Sequence, residues 1–156
     1  MSNLQSLEAK IPPPLVAALA AAAMWGISLV LPSFDLPTAV RRYVAIALAL
    51  VGVGFSAAGV ISFRRAKTTI NPMQPETAST LVASGVYKVT RNPMYVGLLV
   101  ALVAWGVFLS SAWALLCTVF FYVYISRLQI VPEERALDAL FGTEYAAYKS
   151  KVRRWL

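Results

Sequence analysis

The sequence predicts an all-α integral membrane bundle of about four transmembrane helices with a short cytoplasmic C-terminal helical cap, in a single domain over residues 1-156. Three observations lead there. The chain is 59% hydrophobic and 13% charged, with a mean hydropathy of +0.67, far outside soluble composition. Its apolar runs are long and lack period-2 alternation, so where water is absent their backbone groups must be paired within helices. Its basic residues stand at the ends of those runs.

The first span is predicted over about 15-31, since Leu15 to Leu31 is uncharged and almost wholly apolar and 17 residues reach roughly 26 Å at helical rise. Pro12, Pro13 and Pro14 precede it, where proline is tolerated because the first helical turn needs no N–H donors. The second is predicted over 43-63, closed on one side by Arg41 and Arg42 and on the other by Arg64, Arg65 and Lys67. Gly52, Ser56 and Gly59 lie near one face of it, a small-residue stripe that lets a neighbouring backbone of the same bundle come close.

Residues 64 to 91 are the long polar connection, rich in Thr, Pro and Ser. The 35 uncharged residues from Asn92 to Ser126 are too many for one span and divide into two, 93-109 and 111-127, with a hinge at Leu109, Ser110 and Ser111. Beyond Arg127 the chain becomes compatible with water. A helix is predicted to start at Pro132, with Glu133 and Glu134 in its first turn and Gly142 as its stop, followed by a second short helix from Glu144 to about Arg154.

Of the 14 lysines and arginines, twelve fall on the side holding the N-terminus, residues 64 to 91 and the C-terminal tail, against Arg41 and Arg42 on the other. The positive-inside rule then gives a multi-pass protein of the inner, cytoplasmic membrane with both termini cytoplasmic. The net charge of +7 does not indicate nucleic acid, because the cations flank apolar runs instead of covering a soluble domain. One cysteine, Cys117, and no histidine leave neither an intrachain disulfide nor a Cys- or His-based metal site, and remove the usual general base.

Polar groups that can carry chemistry gather in three patches: Ser79-Thr80-Leu81-Val82 with Gly85 and Tyr87, then Arg91-Asn92-Pro93-Met94-Tyr95 with Gly97, then Glu133-Glu134. Arg91, just ahead of a span, can snorkel or supply a fixed cation, while Pro93 pre-forms a first helical turn whose N–H groups face the interface. Arg127, at the end of the fourth span, is a second cation able to orient a substrate carboxylate or phosphate.

Read in order, Leu81-Val82-x-x-Gly85-x-Tyr87-x-x-x-Arg91-Asn92-Pro93-Met94-Tyr95-x-Gly97, a helical hairpin, and Glu133-Glu134-x-x-Leu137-x-x-x-Phe141-Gly142-x-Glu144-Tyr145-x-x-Tyr148 resemble the isoprenylcysteine carboxyl methyltransferase and phospholipid methyltransferase superfamily. The resemblance covers roughly the C-terminal half, with cofactor-site segments 79-95 and 127-148. It implies an S-adenosyl-L-methionine-dependent methyltransferase acting on a lipophilic small-molecule or lipid substrate among membrane lipids, with no metal. It also implies that Ser79, Thr80, Leu81, Val82 and Tyr87 form one wall of the cofactor site and Asn92, Pro93, Met94 and Tyr95 another, with Glu133 taking the ammonium of the methionine moiety beside Glu134. Asn92 departs from the eukaryotic carboxyl methyltransferases, which have histidine between the arginine and proline, and it cannot titrate.

Without histidine, Glu134, Tyr87 or Tyr95 would have to accept a proton, so carboxyl O-methylation is favoured, with thiol or lipid amine methylation as the other chemistries. Two other functions compete with it. One is an NADPH-dependent membrane reductase of the sterol-reductase type, whose C-terminal pattern is related; the other is a non-catalytic scaffold using the small-residue stripe.

Overall fold

The computed structural model describes residues 10–67 and 77–156, and these are helical with no strand among them. Helix α1 covers Pro13–Val30, α2 Thr38–Ala66, α3 Pro93–Leu109, α4 Ala112–Ile125 and α5 Val131–Lys151. A 3-10 turn lies at Gly85–Lys88, and a π-helical turn, Ser126–Ile130, joins α4 to α5. Three helices are long and apolar enough to cross a membrane: α1, α2 and the continuous rod from residue 112 to 151. The fourth apolar helix, α3, is shorter at 17 residues. Residues 1–9 at the N-terminus, and 68–76 within the long polar connection, lie outside the described residues.

Helix α1 begins as its prolines dictate, with Pro12 as the N-cap and Pro13 in the first turn, where their missing donors leave no bond unmade. Helix α2 extends beyond the predicted 43-63 at both ends. Arg41 and Arg42 fall inside it because a long basic side chain can reach the interface while its backbone stays helical. Lys67, with φ of 52°, closes it in the left-handed conformation. The predicted hinge lies between α3 and α4: Ser110 is left-handed at φ 54°, and the Ser111 hydroxyl caps α4 by accepting the Ala114 N–H at 3.1 Å.

Helices α2 and α3 run antiparallel in the closest helix pair. A Cβ on Gly52 would lie 2.7 Å from the Gly97 carbonyl, and one on Gly59 would lie 3.3 Å from the Pro93 ring. The stripe therefore packs within the monomer, as its spacing predicts. Helix α1 covers α3 and α4, with Trp105 Nε1 donating to the Ala21 carbonyl at 3.0 Å and Met24, Phe121 and Ile125 fully buried. The outer faces are apolar, with Leu50, Val53, Phe120 and Leu29 all exposed, as a surface in contact with lipid requires.

The two ends of the bundle separate as the charge partition does. Gln129 Nε2 donates to the Ile11 carbonyl at 2.7 Å, so the start of α1 meets the end of α4 beside the Gly59–Pro93 contact. At the opposite end the Arg41 guanidinium reaches Ser110 Oγ at 3.4 Å and lies over the Phe108 ring.

The C-terminal region differs from the predicted break after Arg127. The helix does not stop; it widens into the π turn and continues through Pro132 to Lys151. Proline inside an α-helix lacks a donor and strikes the carbonyl four residues earlier, and a turn with i→i+5 pairing relieves both. Gly142 does interrupt the helix, at φ 48° and ψ −117°, but as a kink followed directly by the last turns, which end at Lys151 and not near Arg154.

The α2–α3 contact should be sensitive to a single methyl. Gly52→Ala is expected to cost about 1–3 kcal/mol through overpacking, whereas Gly54→Ala, which meets nothing within 4 Å, should be neutral or slightly stabilising. Thermal unfolding of both variants in detergent checks the difference.

Candidate functional site

The polar end of the bundle encloses a cavity of about 110 Å³ where the end of α2, the start of α3, the π turn, α5 and the 78–92 segment converge. Gly85, at φ 61°, turns the chain beneath the end of α2 and starts the 3-10 turn that buries Tyr87 against Phe63, ring edge to face at 5.5 Å. The Tyr148 hydroxyl donates to the Tyr87 carbonyl at 2.7 Å and fixes that turn to α5.

Arg91 and Asn92 come next, immediately before α3. Thr90, fully buried, accepts the Asn92 N–H at 3.2 Å through its hydroxyl, which also donates to the Arg154 carbonyl at 3.3 Å. Asn92 Nδ2 donates to that carbonyl at 2.8 Å, so the amide ties down the C-terminal tail as well as lining the cavity. Pro93 lies under the wall, buried against the Gly59 face of α2.

From α5 the cavity receives Glu133, Glu134 and Leu137, one turn apart on one face, with Ile130 before them. Tyr95 donates its hydroxyl to Glu133 Oε1 in a short hydrogen bond. Glu133 lies beyond the apolar part of the rod and keeps partial access through the cavity mouth. Burial nevertheless pushes its carboxyl up to about 8, against the lowering effect of the Tyr95 hydrogen bond and with a smaller push from the Glu134 charge.

Glu134 is shared by two guanidiniums: Arg91 Nη2 stands 3.0 Å from Oε1, while Arg154 places Nε 3.1 Å from Oε1 and Nη2 2.6 Å from Oε2. Among the described residues, Nε and Nη1 of Arg91 are buried and find no hydrogen-bond partner. Burial also raises the Tyr87 and Tyr145 phenols, and pushes Tyr148 up to about 12 with Arg91 opposing, so all three stay protonated near neutrality.

Of the residues singled out in the sequence, Thr80, Leu81, Val82 and Tyr87 line one side, Asn92, Met94 and Tyr95 another, and Arg91, Glu133 and Glu134 the floor. Three do not line it. Ser79 is exposed, Pro93 supports the wall from behind, and Arg127 is exposed on the π turn. Three residues before Ile130, Arg127 would share its face in a regular α-helix; the wider turn rotates it away. Sequence reasoning missed Phe63 and Ala78, and named Tyr145 and Tyr148 within the resembling motif without giving them a wall of the site. The i, i+3 spacing of the two tyrosines, which puts them on one face of the last turns, was the available signal.

A family model described as phospholipid methyltransferase matches residues 40–144, from the first turn of α2 to just past the Gly142 kink in α5. The chain belongs to the phospholipid methyltransferase family. Every wall of the cavity except its last tyrosines falls within that match. An uncharacterized protein of Haemophilus influenzae is 46% identical over 63 residues, 40% of this chain and 100% of that one. Two rice proteins, from Oryza sativa subspecies indica and japonica, each named probable protein-S-isoprenylcysteine O-methyltransferase, are 31% identical over 117 residues. That similarity covers 73% of this chain, which spans 60% of the length of the rice proteins. No solved structure matches the chain.

Removing the carboxylate that two cations share should be felt in stability. Glu134→Ala is expected to destabilise the protein by about 2 kcal/mol, discounted from a fully buried pair because Arg154 is partly exposed. Denaturation in detergent at pH 7, compared with Lys149→Ala at the exposed Asp138 pair, tests this.

Proposed function

We propose that the chain is an S-adenosylmethionine-dependent methyltransferase acting on a lipophilic acceptor at the cytoplasmic mouth of a four-span, inner-membrane bundle, with carboxyl O-methylation favoured over thiol or lipid amine methylation. The observation that carries this reading is the presence in one cavity of the Glu133 carboxylate and of the Arg91 guanidinium with two buried, unpartnered nitrogens. The amino-acid end of S-adenosylmethionine is a zwitterion, and these groups complement it: Glu133 for the ammonium, Arg91 for the carboxylate. Leu81, Val82, Met94 and Leu137 supply the apolar wall that a nucleoside needs.

When bound, the cofactor supplies an electrophilic methyl on a sulfonium. The chain's own residues hold the reactants in line and keep water out. They offer little proton removal. Glu133 faces the ammonium in this reading, Glu134 is engaged by two guanidiniums, the Tyr87, Tyr145 and Tyr148 phenols stay protonated, and there is no histidine. An acceptor already ionised at pH 7 suits such a site, and a C-terminal carboxylate, with a pKa of roughly 3.3–3.7, is one. The name carried by the rice relatives points to the same acceptor class.

Calorimetric titration with S-adenosylhomocysteine and with NADPH tests the cofactor. Binding of the first and its loss in Glu133→Ala are expected; binding of NADPH alone would overturn the proposal.

The raised Glu133 carboxyl adds a pH dependence. The Glu133 carboxyl holds a proton below about pH 8, and an ammonium ligand needs it ionised, so binding in that range must expel the proton. Affinity for S-adenosylhomocysteine should therefore rise from pH 6 to 8, by up to about tenfold per unit, then level off. Tyr95→Phe, which removes a hydrogen bond favouring the carboxylate, should move the inflection upward. A flat profile, with no proton released across buffers of different ionisation enthalpy, would exclude Glu133 as the ammonium partner.

A further inference from the structure

We propose that Arg154, which does not line the cavity, is a positioning residue that keeps Arg91 open to a carboxylate ligand. The inference rests on the cofactor reading above and adds a residue that acts through another.

A guanidinium binds a carboxylate best as a fork, with two N–H groups on two oxygens. Glu134 faces two guanidiniums, and Arg154 takes the fork, placing Nε 3.1 Å from Oε1 and Nη2 2.6 Å from Oε2. Arg91 makes a single contact, Nη2 to Oε1 at 3.0 Å, and its Nε and Nη1 remain buried without partners. Without Arg154, Glu134 Oε2 is released and can turn toward Arg91. A fork there would occupy donors that are now unpartnered and neutralise the cation.

The tail is held where it can do this. Helix α5 ends at Lys151 and Val152 is extended, so the last residues run back along the start of α3. There the Arg153 carbonyl accepts the Arg91 N–H at 2.9 Å, and the Arg154 carbonyl accepts from Thr90 and Asn92. Trp155 fixes the far end, its Nε1 donating to Ser126 Oγ at 3.1 Å and its ring 4.9 Å from that of Tyr122. The same short segment thus sets the backbone of Arg91 and the partner of Glu134.

The test measures dissociation constants for S-adenosylhomocysteine and for its analogue lacking the methionine carboxylate, on the full chain in detergent, for wild type, Arg154→Ala and Arg154→Lys. The readout is the ratio of the two constants within each protein, so an unfolded fraction cancels. Wild type should prefer the carboxylate-bearing ligand by at least about tenfold, as a charge-assisted hydrogen bond provides. In Arg154→Ala that preference should fall toward unity while binding of the analogue changes little. Arg154→Lys, a point charge without the fork, should fall between, and it carries the test if the alanine variant does not fold.

A wild-type ratio retained in the variants, or an equal loss of both ligands, overturns the positioning role while leaving the cofactor reading intact. A wild type that binds neither ligand, or that shows no preference, overturns the cofactor reading and this inference with it.

Discussion

Glu134 is the carboxylate on which the polar end of the molecule depends. It binds Arg91 from the segment before α3 and Arg154 from the tail, and it stands on α5, so three stretches distant in sequence meet at one group. Its side chain is 14% exposed and that of Arg91 11%, so water screens the attraction little, and losing either partner would leave a charge in poor solvent. The cavity walls follow from this junction. Arg91 is fixed at backbone and side chain together, Asn92 and Thr90 are drawn to the tail, and Glu133, one residue away, is aimed at Tyr95.

The junction can form only because the helices beneath it are set at the right height. The Gly52–Gly97 approach places α3 against α2 at backbone distance, which seats Pro93 on Gly59 and brings Arg91 to the end of the bundle. On the other side, the π turn re-aims the rod so that Ile130, Glu133, Glu134 and Leu137 face inward. That turn is itself tied at both edges, Ser126 to Trp155 and Gln129 to Ile11, so the register of α5 is set by the first and last described segments of the chain.

Much of the helical layout was legible because lipid imposes a simple rule: uncharged length reads directly as helix length. The α3 boundaries, Pro93 and Leu109, came from a proline and a Ser-Ser hinge and match the structure. The end of α2 did not, since Arg41 and Arg64 mark where side chains become charged and not where hydrogen bonding stops. The break predicted at Arg127 failed because Pro132 usually ends a helix, and nothing in the local sequence announces a π turn that accommodates it. In the site, most residues carried by the resemblance lined the cavity, but Ser79 and Pro93, also carried by it, did not, nor did Arg127. Charge and proximity in sequence cannot show the rotation that turns Arg127 outward. The tail's Arg154, which organises Glu134, entered the sequence reading only as the approximate end of a helix.

A static arrangement of this kind has a consequence for binding. Glu133 is raised because burial disfavours its charge, and Arg91 carries two donors with nothing to donate to. Both are unfavourable features of the empty protein, tolerated because the Glu134 junction and the helix packing hold the groups in place. A ligand that brings a cation to one and an anion to the other relieves both at once, without moving either side chain far. Lone cations or lone anions relieve only one and leave the other group as poorly solvated as before. In the cofactor reading, a preference for a zwitterion would come from the burial of both groups in one cavity, as in other preorganised polar sites. Burial at the end of an apolar bundle also lowers the local dielectric, which strengthens the interaction of either group with an opposite charge.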